Sequence, residues 1–226
     1  MAKKTLRFAT FISATIICTS ALASNAAAET KMATTEMLVN TCVACHGNQG
    51  VSTGPAIPSL AGLTRNYLIG ALLAYKFHDD PEGLDKAIED GGEAYEDIAA
   101  FPRYSTIMGR IATGYTIAEI EIMSDYFAEQ KPQAVRQEAD ADMAEAGRKL
   151  HKAKCEKCHE DGGSSAADDV GLLAGQWMPY LRYTLQDYHD DKRKMPKKMK
   201  TKLKELHDEH GETGIEKLIQ YYGSAK

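Results

Sequence analysis

The sequence predicts an all-α protein built from two related halves. The motif Cys-x-x-Cys-His occurs at residues 42–46 and again, 113 residues later, at 155–159. The same shift superposes Leu60-Ala61-Gly62 on Leu173-Ala174-Gly175, Tyr67-Leu68 on Tyr180-Leu181, and Tyr75 on Tyr188. A register held from the motif to these tyrosines indicates an internal duplication. No segment alternates apolar and polar residues as a half-buried strand does.

Each half has the same order of predicted elements. A helix precedes the motif, a loop rich in Gly, Ser and Pro follows it, and a second helix comes next. The predicted ranges are 35–41 and 66–77 in the first half, and 140–154 and 179–190 in the second. Each half ends in a helix with an aromatic pair, Tyr126-Phe127 or Tyr221-Tyr222. We expect these aromatics to pack where the terminal helices of each half cross.

The two motifs predict one covalently bound haem c in each half. Two thiols at this spacing reach the two vinyl groups of one porphyrin, and the next histidine lies beneath the iron. The cofactor-binding residues are then Cys42 and Cys45 with His46, and Cys155 and Cys158 with His159. Zinc would need four ligands, and a catalytic dithiol would not need this histidine in both copies. The halves therefore look like two tandem class I cytochrome c domains.

The sixth iron ligand decides between electron transfer and oxygen or peroxide chemistry. In the first half we expect Met108, which follows the irregular stretch after Pro102 and precedes the terminal helix. Met123 competes, but it lies inside that helix and is expected to face the core.

In the second half both Met195 and Met199 are candidates for the sixth ligand. We favour Met199 because it directly precedes an apolar helical periodicity, whereas Met195 precedes a proline. Ligation by a second histidine is the open alternative, with His189, His207 and His210 as candidates. The plainer interpretation of these three, and of His78 and His151, is that they lie on the surface.

The N-terminus predicts export. Residues 1–28 combine a basic start, a short apolar run and small residues typical of signal-peptide cleavage, and an uncleaved tether is the alternative. We therefore expect a periplasmic protein with no membrane span. The mature domains are predicted over 29–130 and 131–226, joined at the polar segment 130–133. Cleavage would also remove one of the five cysteines, leaving only those of the two motifs.

Charge excludes one class of partner and suggests another. The formal net charge is −5, and loss of three basic residues with the signal peptide makes it −8. Such acidity argues against a nucleic-acid partner. Residues 79–97 carry nine acidic side chains and one lysine, whereas residues 192–204 carry eight basic ones. The basic run is either a solvated face or a surface that steers an acidic partner to the second haem.

With these residues in place, the chain resembles the dihaem cytochrome c subunit of flavocytochrome c sulfide dehydrogenase, a cytochrome c4-like protein. The similar segments are 42–47, 105–112, 149–151, 155–159, 173–177, 179–181 and 195–199. The resemblance implies a partner flavoprotein that carries FAD and oxidises sulfide. The present chain would pass electrons to a soluble cytochrome acceptor and would not be catalytic alone. Its acidic segment 79–97 departs from that family.

Two other functions compete with the one that this resemblance implies. The first is a free-standing electron carrier of the cytochrome c4 type that serves a terminal oxidase. The second is a dihaem peroxidase, which would need an open iron position and an acid–base residue beside it; the two candidate methionines argue against it. The single tryptophan, Trp177, is expected to be a core or interface aromatic with its N–H bonded, rather than an electron relay.

Overall fold

The computed structural model describes residues 33–225, so the predicted signal peptide lies outside the described part of the chain. Within that part every regular element is helical, which confirms the all-α prediction. The helices are α1 Thr35–His46, α2 Arg65–Lys76, α3 Pro81–Asp90, α4 Met108–Thr113, α5 Ile117–Ala128, α6 Ala141–Lys154, α7 Glu160–Gly163, α8 Met178–His189 and α9 Lys197–Gly223. Short 3₁₀ turns occupy Asn48–Gly50, Gly92–Tyr95 and Ala167–Asp169. No helix among the described residues is long and apolar enough to cross a bilayer.

Side-chain caps explain where most helices begin. The hydroxyls of Thr34 and Thr64 accept hydrogen bonds from backbone N–H groups of the first turns of α1 and α2, and the carboxylate of Asp140 does the same for α6. Thr116 and Glu119 form a reciprocal capping box at α5. The predicted helix bounds agree within one residue for α2, α6 and α8. The exception is α1, which continues through the first motif to His46 instead of ending at Thr41.

The two halves have cores of different size. In the first half, twelve buried side chains form one cluster from α1, α2, α3 and α5 and the loops between them. In the second half the corresponding cluster has five buried members: Leu181, Leu206, Leu218, Ile219 and Tyr222. The smaller apolar core contributes less stability to the second half, so contacts other than apolar burial must contribute more to holding its helices together.

The acidic segment 79–97 is a packed element of the first half. It forms α3 and the following 3₁₀ turn, and Leu84 and Tyr95 point inward with 1% and 2% of their surface exposed. The Tyr95 hydroxyl donates to a Glu121 carboxylate oxygen at 3.0 Å. The acidic side chains lie on the outside of an amphipathic helix, with the apolar side chains beneath them.

In the second half, α6 and α9 cross at a glycine. A Cβ added at Gly147 would overlap the Lys217 carbonyl oxygen and lie 2.8 Å from the Cβ of Tyr221. Of the second aromatic pair, Tyr221 lies at this crossing, as expected. Helix α9 is broken near its middle at Gly211, where φ is 58° and ψ is −159°. This left-handed backbone favours glycine, and it separates the Met199 segment from the terminal helix.

His151 is buried, so its assignment to the surface was wrong. It is 1% exposed; its Nδ1 lies 2.9 Å from the Tyr222 hydroxyl and its Nε2 lies 2.6 Å from a Glu156 carboxylate oxygen. Shifted by 113 residues, His151 and Glu156 fall on the apolar Leu38 and Val43, and Tyr222 corresponds to Phe127 of the first aromatic pair. The Tyr222 hydroxyl is a hydrogen-bond partner for Nδ1, and the Glu156 carboxylate lies beside Nε2, although Nε2 makes no hydrogen bond. These polar neighbours allow a histidine to occupy a site that is apolar in the first half.

Hydrogen bonds join the two halves around Trp177. The Gln176 side chain accepts from Ser59 N at 2.9 Å and donates to the Ser59 carbonyl oxygen at 3.0 Å. The Trp177 indole N–H donates to the Ser52 carbonyl oxygen at 3.1 Å. Trp177 is thus an interface aromatic with a bonded N–H, as expected.

The Gly147 crossing predicts a large effect from one methyl group. Gly147→Ala should lower the stability of the second half by about 3 kcal/mol or more, because the added carbon meets backbone that has little room to move. The matched control is Gly54→Ala, where the nearest atom is 3.8 Å away and little change is expected. Thermal unfolding followed by circular dichroism tests both. Equal midpoints for the two variants would contradict this account of the crossing.

Candidate functional site

The first motif lies on the last turn of α1. Cys42 and Cys45 are one turn apart on this helix, and His46 is its final residue. Both cysteines are free thiols; Cys42 is half-buried and Cys45 is exposed. His46 is buried, with 8% of its surface exposed. Thus two thiols and one imidazole share one end of one helix.

The ring of His46 is held in one orientation. Its Nδ1 lies 2.8 Å from the Pro58 carbonyl oxygen, which can only accept, so Nδ1 carries the proton. Burial lowers the pKa of His46, although the hydrogen bond to Pro58 opposes this shift, and the ring stays neutral near pH 7. A neutral imidazole that donates through Nδ1 presents a lone pair at Nε2, which is the arrangement of a metal-ligating histidine.

The second motif contains the same residues in a turn. Helix α6 ends at Lys154, and the backbone N–H groups of Cys158 and His159 both donate to the Cys155 carbonyl oxygen, at 3.1 and 2.9 Å. His159 Nδ1 is buried without a hydrogen-bond partner. Burial and the nearby His151 lower the pKa of His159, whereas the carbonyl of Gly171 raises it. Gly171 is the residue that corresponds to Pro58 in the 113-residue register.

Zinc and redox-dithiol interpretations find no support in this geometry. Burial raises the pKa of Cys42 and of Cys155, so these thiols stay protonated, whereas redox-active dithiols carry a thiol of lowered pKa. Among residues 33–225, none of the four cysteines belongs to a cluster of potential metal ligands. Each half instead offers two free thiols and one neutral histidine, a donor set that fits haem c.

The candidate methionines lie at the starts of corresponding helices. Met108 is the first residue of α4, and its backbone N–H donates to Ser105 Oγ at 3.1 Å. Met199 is the third residue of α9. Met195 precedes that helix and lines a groove between α8 and α9. Met123 is 1% exposed within α5, in agreement with its expected core role.

Two arginines meet where the halves touch, a feature that the sequence analysis missed. Arg103 and Arg193 form an isolated antiparallel backbone bridge. The Arg103 guanidinium lies 4.7 Å from the centre of the Tyr75 ring, and that of Arg193 lies 4.6 Å from the centre of the Tyr188 ring. The tyrosines are 113 residues apart but the arginines are only 90 apart. The 113-residue register therefore breaks between the tyrosine and the arginine of each half. The available signal was an arginine five or six residues before a candidate methionine in each half.

Neither arginine has a carboxylate partner among the described residues. Arg103 and Arg193 are only partly exposed, yet no salt bridge in the described part of the chain includes either of them. Burial raises the pKa of Tyr188 to about 12, whereas burial of Tyr180 is outweighed by Arg193 and Arg103, which lower the pKa of that phenol. Two cationic groups without carboxylate partners at one interface could hold anions such as haem propionates.

Five of the eight basic side chains of the run 192–204 pair with local carboxylates. Lys192, Lys194 and Lys200 pair with Asp190 or Asp191, while Lys202 and Lys204 pair with acids one turn further along α9. Arg193 faces the interface. Lys197 and Lys198 are exposed and have no carboxylate partner among the described residues, so the run is a partly paired face that keeps an excess of positive charge.

The histidines considered as alternative iron ligands occupy different places. His210 is exposed beside Glu209. The His189 and His207 rings have centres 5.0 Å apart, and both line the groove that Met195 lines. His78 is half-buried, with Nδ1 2.9 Å from the Tyr75 carbonyl oxygen and Nε2 2.9 Å from an Asp79 carboxylate oxygen.

Comparison with known proteins finds no matching family model. Cytochrome c-552 of Acidithiobacillus ferridurans is 29% identical over 165 residues, which are 67% of this chain and 61% of that protein. The cytochrome subunit of sulfide dehydrogenase of Chlorobaculum tepidum is 34% identical over 92 residues, which are 41% of this chain and 62% of that protein. Cytochrome c4 of Azotobacter vinelandii is 26% identical over 161 residues, which are 67% of this chain and 69% of that protein. The chain thus spans about three fifths of the length of the first two relatives.

Solved structures share the fold. Reduced cytochrome c4 from Pseudomonas stutzeri superposes with a TM-score of 0.66 at 23% identity, covering 86% of this chain and all of that one. Thiosulfate dehydrogenase TsdBA from Marichromatium purpuratum superposes with a TM-score of 0.58 at 23% identity, and the superposition covers 82% of this chain but 36% of that one. Two tandem class I cytochrome c domains account for this fold. The paired Cys-x-x-Cys-His motifs, the fold and these relatives together make this chain similar to cytochrome c4-like dihaem cytochromes c.

Proposed function

We propose that this chain is the electron-transfer subunit of a periplasmic complex in which a partner flavoprotein with FAD oxidises sulfide. The observation that carries the proposal is the 34% identity to a protein named cytochrome subunit of sulfide dehydrogenase. A reduced flavin holds two electrons, and two haems in one chain supply two one-electron acceptors. The chain then passes the electrons to a soluble cytochrome. Residues 1–28 direct export and are removed.

The iron sites in this proposal use one histidine and one methionine each. Cys42 and Cys45 hold the first haem, with His46 and Met108 as iron ligands. Cys155 and Cys158 hold the second, with His159 and Met199. When bound, haem c supplies a one-electron redox centre, and the chain tunes it through ligand identity, burial and nearby charge. The domains assigned to them are 29–130 and 131–226.

The arginine bridge supports Met199 over Met195. Arg103 and Arg193 lie side by side and stack on corresponding tyrosines, so they mark equivalent points of the two halves. Met108 is the fifth residue after Arg103 and Met199 the sixth after Arg193, whereas Met195 is only the second. Met108 and Met199 also both lie in the first turn of a helix.

An exposed apolar patch beside Met108 supports docking of a redox partner. Four large apolar side chains of the segment 101–111 are exposed: Phe101, Tyr104, Ile107 and Ile111. Tyr104 and Ile107 keep 69% and 64% of their surface in water. Apolar side chains grouped on a surface commonly mark an interaction site.

A free-standing carrier of the cytochrome c4 type is the second candidate. The observation that favours it is the superposition on the whole length of a cytochrome c4 chain, with 86% of the present chain covered. Such a carrier would deliver electrons to a terminal oxidase and would have no flavin partner.

Purification from the native periplasm distinguishes the two candidates. We expect a flavoprotein with FAD to co-purify, two covalent haems per mature chain, a chain that begins near residue 29, and sulfide:cytochrome c reductase activity. Ile107→Glu should weaken the association, because it places a charge in the apolar patch, whereas the exposed Tyr183→Glu on α8 should not. Isolation as a flavin-free monomer without that activity would leave the free-standing carrier.

The axial methionines can be assigned by single substitutions. Met108→Ala and Met199→Ala should each remove about half of the methionine-to-iron charge-transfer band of the oxidised protein, since each removes one thioether ligand. Met195→Ala is the matched control and should keep the full band. A loss of the band in Met195→Ala with an intact band in Met199→Ala would reverse the assignment.

The charge of Arg193 should raise the reduction potential of a neighbouring haem. Arg193→Gln removes a cation that has no carboxylate partner. Removal of this positive charge stabilises the ferric haem relative to the ferrous haem, because the ferric haem carries one more positive charge. The reduction potential should therefore fall by ~40 mV, equivalent to about 1 kcal/mol. Lys192→Gln is the control, because Lys192 is exposed and already paired with Asp190. Spectroscopic redox titration measures both. A shift in Arg193→Gln no larger than in Lys192→Gln would contradict the anion-binding role.

A further inference from the structure

Two histidines and a glutamate converge at the end of the groove between α8 and α9. His189 ends α8, His207 lies on α9 before its break at Gly211, and Glu212 follows that break. One ligand atom from each lies within 4.8 Å of the others. We propose that these three residues form a binding site for a divalent transition-metal cation of the Zn²⁺ type, separate from the two haem irons.

An unpartnered nitrogen points to a ligand at this place. His207 Nδ1 is a buried atom without a hydrogen bond, and the nearest Glu212 oxygen is 3.5 Å away. That separation is long for a hydrogen bond but close to the distance between two ligand atoms bound tetrahedrally to one zinc ion. A cation between them would satisfy both groups.

His189 also has an outer partner of the kind found at metal sites. Its Nδ1 lies 3.4 Å from an Asp190 carboxylate oxygen. A carboxylate behind a ligating histidine fixes the ring and increases its basicity.

The positive charges near the site are already neutralised. Lys200 pairs with Asp191, Lys204 with Asp208, and Arg182 with Glu216. The groove has a volume of about 520 Å³ and is open to solvent. A cation therefore has a path to the three ligands and room to keep a water as its fourth ligand.

The first half has a cation at the corresponding place. In the 113-residue register His189 corresponds to Lys76, whose Nζ donates to the carbonyl oxygens of Thr113 and Tyr115 at 3.2 and 2.8 Å. This ammonium joins the end of α2 to the end of α4, just before the terminal helix. Counted from the aromatic pairs, those two carbonyls correspond to residues 208 and 210 of α9. The second half has no lysine at position 189, and a metal ion held there would join α8 to α9 in the same way.

The ligand set selects the class of ion. Two imidazoles and one carboxylate suit zinc, copper or nickel, whereas calcium and magnesium prefer an all-oxygen set. The three ligands come from three segments, so bound metal would tie α8 to both parts of α9 across the break. The second half has the smaller core, and a metal that binds only the folded state adds to its stability.

Zinc binding to the holoprotein, with both haems attached, tests the proposal. Equilibrium dialysis against ZnCl₂ at neutral pH, followed by metal analysis, should give one saturable Zn²⁺ per chain. His207→Gln and the exposed Glu212→Gln should each weaken binding by at least ~10-fold. The matched control His210→Gln should bind as the parent does. Zinc should also raise the unfolding midpoint of the parent and of the control, but not of the two ligand variants.

The haem spectrum provides the second measurement. Zinc, and each of the three substitutions, should leave the spectra of both haems unchanged, because the ligands are not bound to iron. The proposal is overturned by an absence of saturable zinc binding, or by binding that Glu212→Gln and His207→Gln leave intact. It is equally overturned if His207→Gln changes the axial ligation of a haem.

Discussion

The hydrogen bond between His46 Nδ1 and the Pro58 carbonyl is the contact on which the proposed first haem site depends. At 2.8 Å it fixes the ring and its tautomer, so that Nε2 carries the lone pair. Burial keeps the ring neutral, and the loop that supplies the carbonyl is held through Ser59 to Gln176 of the other half. The geometry of the proposed iron site in the first half is thus connected to the interface between the halves.

The duplicated halves share a helical arrangement but differ in the residues that pack and cover their helices. The first half covers its helices with the acidic element α3 and has a large apolar core. The second lacks that element, keeps an open groove, and places the His151, Tyr222 and Glu156 network where the first half has apolar side chains. Similar backbones with different polar content give the two iron sites different surroundings, and burial and hydrogen bonding are what tune a haem potential.

Predictions made from local patterns were more accurate than those about single side chains. Caps and apolar spacing predicted α2, α6 and α8 to within one residue, because these signals act within one helix. Helix α1 was predicted too short because its last turn carries the haem motif and lacks an apolar stripe. His151 was misassigned because its partners Glu156 and Tyr222 come together only in the fold.

The sequence by itself determined the all-α class and the duplication, and it predicted the haem-attachment chemistry. Each of these depends on residue spacing along the chain, which is set before folding. Only the tertiary structure revealed the pairing of Arg103 with Arg193, the partial pairing of the basic run and the meeting of His189, His207 and Glu212. The arginine pair and the histidine–glutamate cluster join residues from different segments of the chain. An insertion within the first half also breaks the 113-residue register, so that this register does not align Arg103 with Arg193.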